Sequence, residues 1–251
     1  MSSEIQVESS EVSSNARLDK YTIVALAIGL IAYPVLYSTD FFSSLLFPFL
    51  PDEFISSLHN DNERTEWWYF IFSNLLFHWI PFLFIRHALI KNNETWSSIG
   101  VDWSWFLKHK NWFIGIFSVL IISAFVIPEI YYANELPTKS QAGFIGPIST
   151  LERLIAVVVL AFTAAITEEI IFRGFALTRL KRIIPNPWFI LPIIAISFVF
   201  IHGEIRSLGL TLNYLIFSLI FGTVFITNRF KRLEILILIH FLINASLVFA
   251  Y

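Results

Sequence analysis

The sequence predicts an all-α, polytopic membrane protein with about seven transmembrane helices, or eight. Three observations point there. Hydrophobic residues make up 56% of the 251 residues and charged residues only 14%, against about 45–50% apolar and about 25% charged in soluble globular domains. Mean hydropathy is +0.69. The apolar residues also fall in uncharged runs of near-span length rather than in short alternating segments. A soluble body of this size would lack the polar side chains to cover its surface. The absence of cysteine excludes disulfide scaffolds, thiolate-bound zinc, iron–sulfur clusters and thiol nucleophiles. A net charge of −2 supplies no global basic field, so no nucleic-acid partner is expected.

The elements follow in chain order. Residues 1–20 are Ser- and Glu-rich and read as a disordered tail without the basic-then-apolar plan of a cleaved signal. Apolar spans are predicted at Tyr21–Tyr37, Trp67–Ile85, Trp112–Ile127, Leu154–Thr167, Trp188–Ile201, Leu208–Asn228 and Ile235–Tyr251. The fourth is expected to run on through the polar residues that follow it. Phe41–Leu50, ending at Pro51, is too short to cross alone and suits an interfacial or re-entrant segment. Trp67, Trp68, Trp112 and Trp188 stand at span edges, where an aromatic belt would put them. With seven spans and the N-terminus in the cytoplasm, all of the 17 basic residues except Arg64, Lys139, Arg153 and Arg206 fall on inner segments. That bias obeys the positive-inside rule. The chain thus divides into the tail (1–20), an N-terminal set of membrane helices and loops (21–150) and a region at 151–251 that carries the chemistry.

An ionisable side chain at mid-bilayer costs roughly 2.5–3.5 kcal/mol on insertion scales, so each one retained there needs a reason. Glu168 and Glu169 follow thirteen residues with nothing more polar than Thr163. Glu169 and Arg173 stand at i,i+4 and can pair on one face. Glu168 is turned about 100° from Glu169 and shares its face with Ala164, Ala165 and Phe172. With no local cation in so apolar a setting, it suits a general base. His202 lies four residues after Phe198, and Asn244 four after His240, so each couple shares a helix face. A hairpin turning at Ile183–Pro187 would put Glu168 and His202 level, each about 22 Å from the turn. His240 stands too near its own turn to match that depth unless the loop dips inward. A carboxylate and an imidazole sharing a water can hydrolyse an amide. A second imidazole with a carboxamide offers donors to the developing oxyanion.

Glu168-Glu169-x-x-x-Arg173, Phe198-x-x-x-His202 and His240-x-x-x-Asn244, in that order, resemble the three motifs of the CPBP group. That group comprises type II CAAX prenyl endopeptidases and the bacteriocin-processing or immunity proteins also called Abi. The resemblance covers roughly Leu151–Tyr251. It implies an intramembrane peptidase in which Glu168 and His202 activate the hydrolytic water and His240 and Asn244 hold the oxyanion, with Glu169, Arg173 and Phe198 as structural support. It implies no cofactor. The sequence has no H-E-x-x-H, and the zinc alternative would use Glu168, His202 and His240 as ligands. The expected partners are a membrane-associated protein or peptide substrate and the lipid bilayer, and the expected location is a bacterial inner membrane. Two other functions fit the same residues less well: a non-catalytic immunity or scaffold protein, and an ion-coupled transporter using Glu168 and His202 as relays. Elsewhere, His78 reads as a satisfied core histidine, Arg179, Lys181 and Arg182 as topology signals, and Asn93-Glu94-Thr95 as a sequon without weight on an inner loop.

Overall fold

The computed structural model describes residues 18–37, 41, 45, 47–59, 63–109, 111, 149–202 and 208–249. Among the described residues every regular element is helical. In chain order these are α1 (Lys20–Tyr37), α2 (Asp52–His59), α3 (Glu63–Phe77), α4 (Trp79–Lys91), α5 (Trp103–Lys108), α6 (Leu151–Leu180), α7 (Pro187–Phe200), α8 (Leu208–Thr227) and α9 (Leu233–Phe249). Short 3₁₀ turns lie at Phe47–Phe49 and Trp96–Ile99.

Four segments are long and apolar enough to cross a bilayer: α1, Trp67–Lys91 (α3 continuing into α4), α6 and α8. The predicted fourth span does run on past Thr167, because α6 carries through Glu168 and Glu169 to Leu180 over 30 residues. The α7 helix and the apolar part of α9, Leu233–Ser246, fall short of that length, so four candidate spans lie among the described residues. The predicted span Trp112–Ile127 and the tail before residue 18 lie outside the described residues.

The surface pattern is what a lipid solvent selects. On α3 the outward residues are Phe72, Leu75 and Leu76, while Trp67, Ile71 and Asn74 form a buried stripe that His78, just past its end, continues. On α6, Val158 and Phe162 face out while Thr163, Thr167 and Glu168 are buried. On α7, Ile193, Ile196 and Phe200 face out and Ser197 is buried. Polar groups inside and large apolar groups outside reverse the soluble rule. They match a bundle whose backbone bonds are satisfied within helices and whose polar side chains point away from hydrocarbon. The chain is an integral membrane protein, all-helical among the described residues.

Two compact units interleave along the chain. One takes Met1–Thr39, Pro81–Val101 and Glu169–Leu233; the other takes Asp40–Ile80, Asp102–Glu168 and Glu234–Tyr251. In the first, α7 packs on α8 and on α1. The Ser197 hydroxyl donates to the Leu30 carbonyl at 2.6 Å. A Cβ on Gly222 would lie 2.2 Å from Leu191 Cδ1, so any larger residue there displaces the Leu191 side chain at this approach of α7 to α8. The α1 N-terminus is capped by Asp19, which accepts from the Tyr21 and Thr22 amides and from the Asn92 side chain. Burial pushes the Asp19 carboxyl up, but the hydrogen bonds from Thr22, Asn92 and Tyr21 outweigh it and hold the group below its ordinary value. In the second unit, α3 packs against the first half of α6.

Arg179 departs from its sequence reading as a topology signal. It is buried, ion-paired with Glu94, and donates to the Ser98 hydroxyl at 2.8 Å. Arg182 joins the same carboxylate at 2.5 Å. Glu94 fastens the loop after α4 to the end of α6, which positional charge counting has no means of revealing.

Candidate active site

Glu168 is the last residue of the second unit's part of α6 and is 3% exposed. The small residues before it set its surroundings. Ala161, Thr163, Ala165 and Thr167 are buried, and the Thr167 hydroxyl folds back onto the Thr163 carbonyl at 2.8 Å. That local bond satisfies Thr167 within its own helix.

Two imidazoles face the Glu168 carboxylate. His240 Nε2 is 3.9 Å from Oε2, and His78 Nε2 is 3.6 Å from Oε1. His240 and His78 are both buried. The fold resolves the depth mismatch expected for His240. Glu234, at the start of α9, is itself buried and accepts from the Asp102 amide at 3.2 Å. The start of α9 is thus covered by protein, and the 3.9 Å approach puts His240 level with Glu168. The Phe162 and Phe241 rings meet edge to face at 6.0 Å and hold α9 against α6 on the same side. Asn244 follows one turn after His240 and is half-buried.

His78 is the residue that sequence reasoning set aside. It sits in a one-residue break between α3 and α4. Pro81 explains the break: it lacks an amide hydrogen and its ring clashes with the carbonyl four residues earlier. The usable signal was the spacing Trp67, Ile71, Asn74, His78, a helical stripe that ends in an imidazole near the middle of an apolar span.

The other motif residues lie in the first unit. Arg173 Nη1 donates to Glu169 Oε1 at 3.0 Å with both side chains fully buried, as the i,i+4 spacing predicts. The Arg173 guanidinium also lies over the Phe198 ring at 4.4 Å, with Phe221 at 5.7 Å and Phe217 at 5.9 Å. A guanidinium over aromatic faces loses less on leaving water than an ammonium would. Phe198 thus ties the first motif to the second, since its ring also touches His202 at 4.7 Å between centroids. His202 Nδ1 stands 2.9 Å from the Phe198 carbonyl. A carbonyl only accepts, so Nδ1 carries the hydrogen and Nε2 carries the lone pair of the neutral ring. Tyr214 stacks on the imidazole at 3.9 Å and fixes its plane.

The comparison with protein families bears on the C-terminal region. Residues 150–246 match the family described as type II CAAX prenyl endopeptidase Rce1-like. This region is similar to that family. The match begins at the start of α6, ends within α9 and contains all three motifs, in agreement with the resemblance read from the sequence. It leaves α1 to α5, and so His78, outside. No curated protein and no solved structure matches the chain.

Zinc would need three converging donors. Among the described residues no group of three His, Asp or Glu side chains is gathered for a metal ion.

Proposed function

We propose that the protein is an intramembrane endopeptidase that hydrolyses a peptide bond in a membrane-associated substrate with Glu168 as the general base. The observation that carries this reading is a buried carboxylate faced by the His240 imidazole in a region that matches an endopeptidase family. Glu168 takes a proton from water as the water oxygen attacks the scissile carbonyl carbon. The oxyanion that forms is met by donors from His240 Nε2 and the Asn244 carboxamide, and donors fixed in a dry site act most strongly where charge develops. Glu168 then returns the proton to the leaving nitrogen as the C–N bond breaks, giving a carboxylic acid and an amine. His202 takes the second proton-handling role on the family resemblance, with Nε2 as the working atom.

The substrate class that the family name supports is a prenylated peptide, in which the lipid chain would sit among the apolar helices. The test is cleavage of a farnesylated peptide ending in a CAAX sequence by protein reconstituted in liposomes. Cleavage should be lost in His202→Ala and His240→Ala and should persist after chelator treatment. Abolition by chelator with restoration by zinc would replace this mechanism with a metal-assisted one. Cleavage that persists in His240→Ala would remove the oxyanion assignment.

A further inference from the structure

We propose that His78, contributed by the N-terminal half of the chain, is a positioning residue for the hydrolytic base: its Nε2 holds Glu168 Oε1 so that Oε2 takes the proton of water. This rests on the endopeptidase reading. Three observations carry it. First, the two imidazoles divide the carboxylate between them, His78 at Oε1 and His240 at Oε2. A bond from His78 to Oε1 would restrain the carboxylate about its terminal torsion, which is otherwise broad, and leave Oε2, 3.9 Å from His240, for the water. Second, His78 closes the buried stripe of α3, one turn after buried Asn74. Packing alone asks for an apolar residue there, and an imidazole within a span carries a cost that a functional contact explains. Third, the His78 amide still donates to the Asn74 carbonyl at 3.3 Å, so the imidazole stays in register with that stripe although Pro81 interrupts the helix beside it.

The 3.6 Å separation is longer than a good hydrogen bond. Such contacts at active sites commonly tighten when substrate is bound. For the bond to form, His78 must carry its hydrogen on Nε2, because the ionised carboxylate only accepts. The consequence is a hydrolytic centre that the Rce1-like segment does not complete by itself, since its base is oriented from outside residues 150–246.

The experiment uses full-length protein in liposomes, a farnesylated CAAX peptide, and the variants His78→Phe and His78→Gln. Phenylalanine keeps a flat ring without the donor, and glutamine restores a donor on a similar reach. His78→Phe should lower kcat about a hundredfold, the scale of a misplaced reacting group, with KM held within about twofold. His78→Gln should recover about tenfold of that loss. Unchanged kcat in His78→Phe, or equal loss in both variants, would overturn the positioning role and leave the endopeptidase reading standing. No cleavage by the wild type would instead overturn that reading, and the inference with it. A measurement independent of turnover separates the two. In protein labelled with ¹⁵N-histidine, the His78 Nε2 resonance should shift on Glu168→Gln, and an unmoved resonance would overturn the contact itself.

Discussion

Replacing Arg173 by methionine removes the cation from a pair whose members are both fully buried. At 3.0 Å and an effective dielectric of about 20, the attraction is roughly 5 kcal/mol. Taking each ion out of water opposes this by several kcal/mol, so the pair as a whole is close to neutral for stability. Removing one partner is a different matter: Glu169 would be left charged and buried with its attraction gone. The aromatic shell of Phe198, Phe217 and Phe221 would lose its cation as well, a contribution of about 0.5–2 kcal/mol. Arg173→Met should therefore destabilise the protein by about 3–5 kcal/mol, and Glu169→Leu by a similar amount. The double variant should recover most of the loss, because neither charge then remains. Reversible unfolding in mixed detergent–SDS micelles, read as a double-mutant cycle, measures these terms. A single-variant loss under about 1 kcal/mol, or a double variant as unstable as the sum of the singles, would refute the reasoning.

Three further outcomes follow from the same packing. Glu94→Ala should cost several-fold more stability than Arg182→Ala in the same unfolding assay. The Arg179 partner of Glu94 is 2% exposed and Arg182 is 35% exposed, and an exposed pair contributes only about 0–1 kcal/mol. Gly222→Ala should lose about 1–3 kcal/mol by overpacking against Leu191, and Leu191→Ala in the same chain should relieve part of it. Asp19 supplies the pH dependence. Its folded-state pKa lies below the ordinary 3.8, so its contribution is present above that value and lost as pH falls through the lower folded value. As pH falls from about 5 through the folded value, thermal melts should therefore fall more steeply for wild type than for Asp19→Asn, with the two converging below it. Parallel curves would contradict this.

Much of the site was legible because the chain is so poor in charge. Against an apolar background, Glu168, Glu169, Arg173 and His240 stand out by type and spacing, and the Glu169–Arg173 pair follows from helix geometry alone. The reach of α6 through both glutamates to Leu180 was equally readable, since ending a span on two acids is costly. Long-range partners were another matter. His78 and Glu168 are ninety residues apart in the chain, and no local rule brings them together. Arg179 looked like a topology signal because basic residues near span ends usually are, and only the fold shows Glu94 beside it. The depth of His240 stays open in the sequence, which does not say where α9 begins; its 3.9 Å approach to Glu168 is visible only in the fold.

The central claim is that Glu168 is the base of a peptide hydrolysis. Its most direct test is the turnover of a farnesylated CAAX peptide by Glu168→Gln protein in liposomes, with folding verified by its melting profile. Glutamine keeps the size and the hydrogen-bonding carbonyl but cannot take the proton. The account predicts a fall in kcat of about 10²–10⁴-fold with the peptide still bound. Wild-type turnover by Glu168→Gln would contradict it.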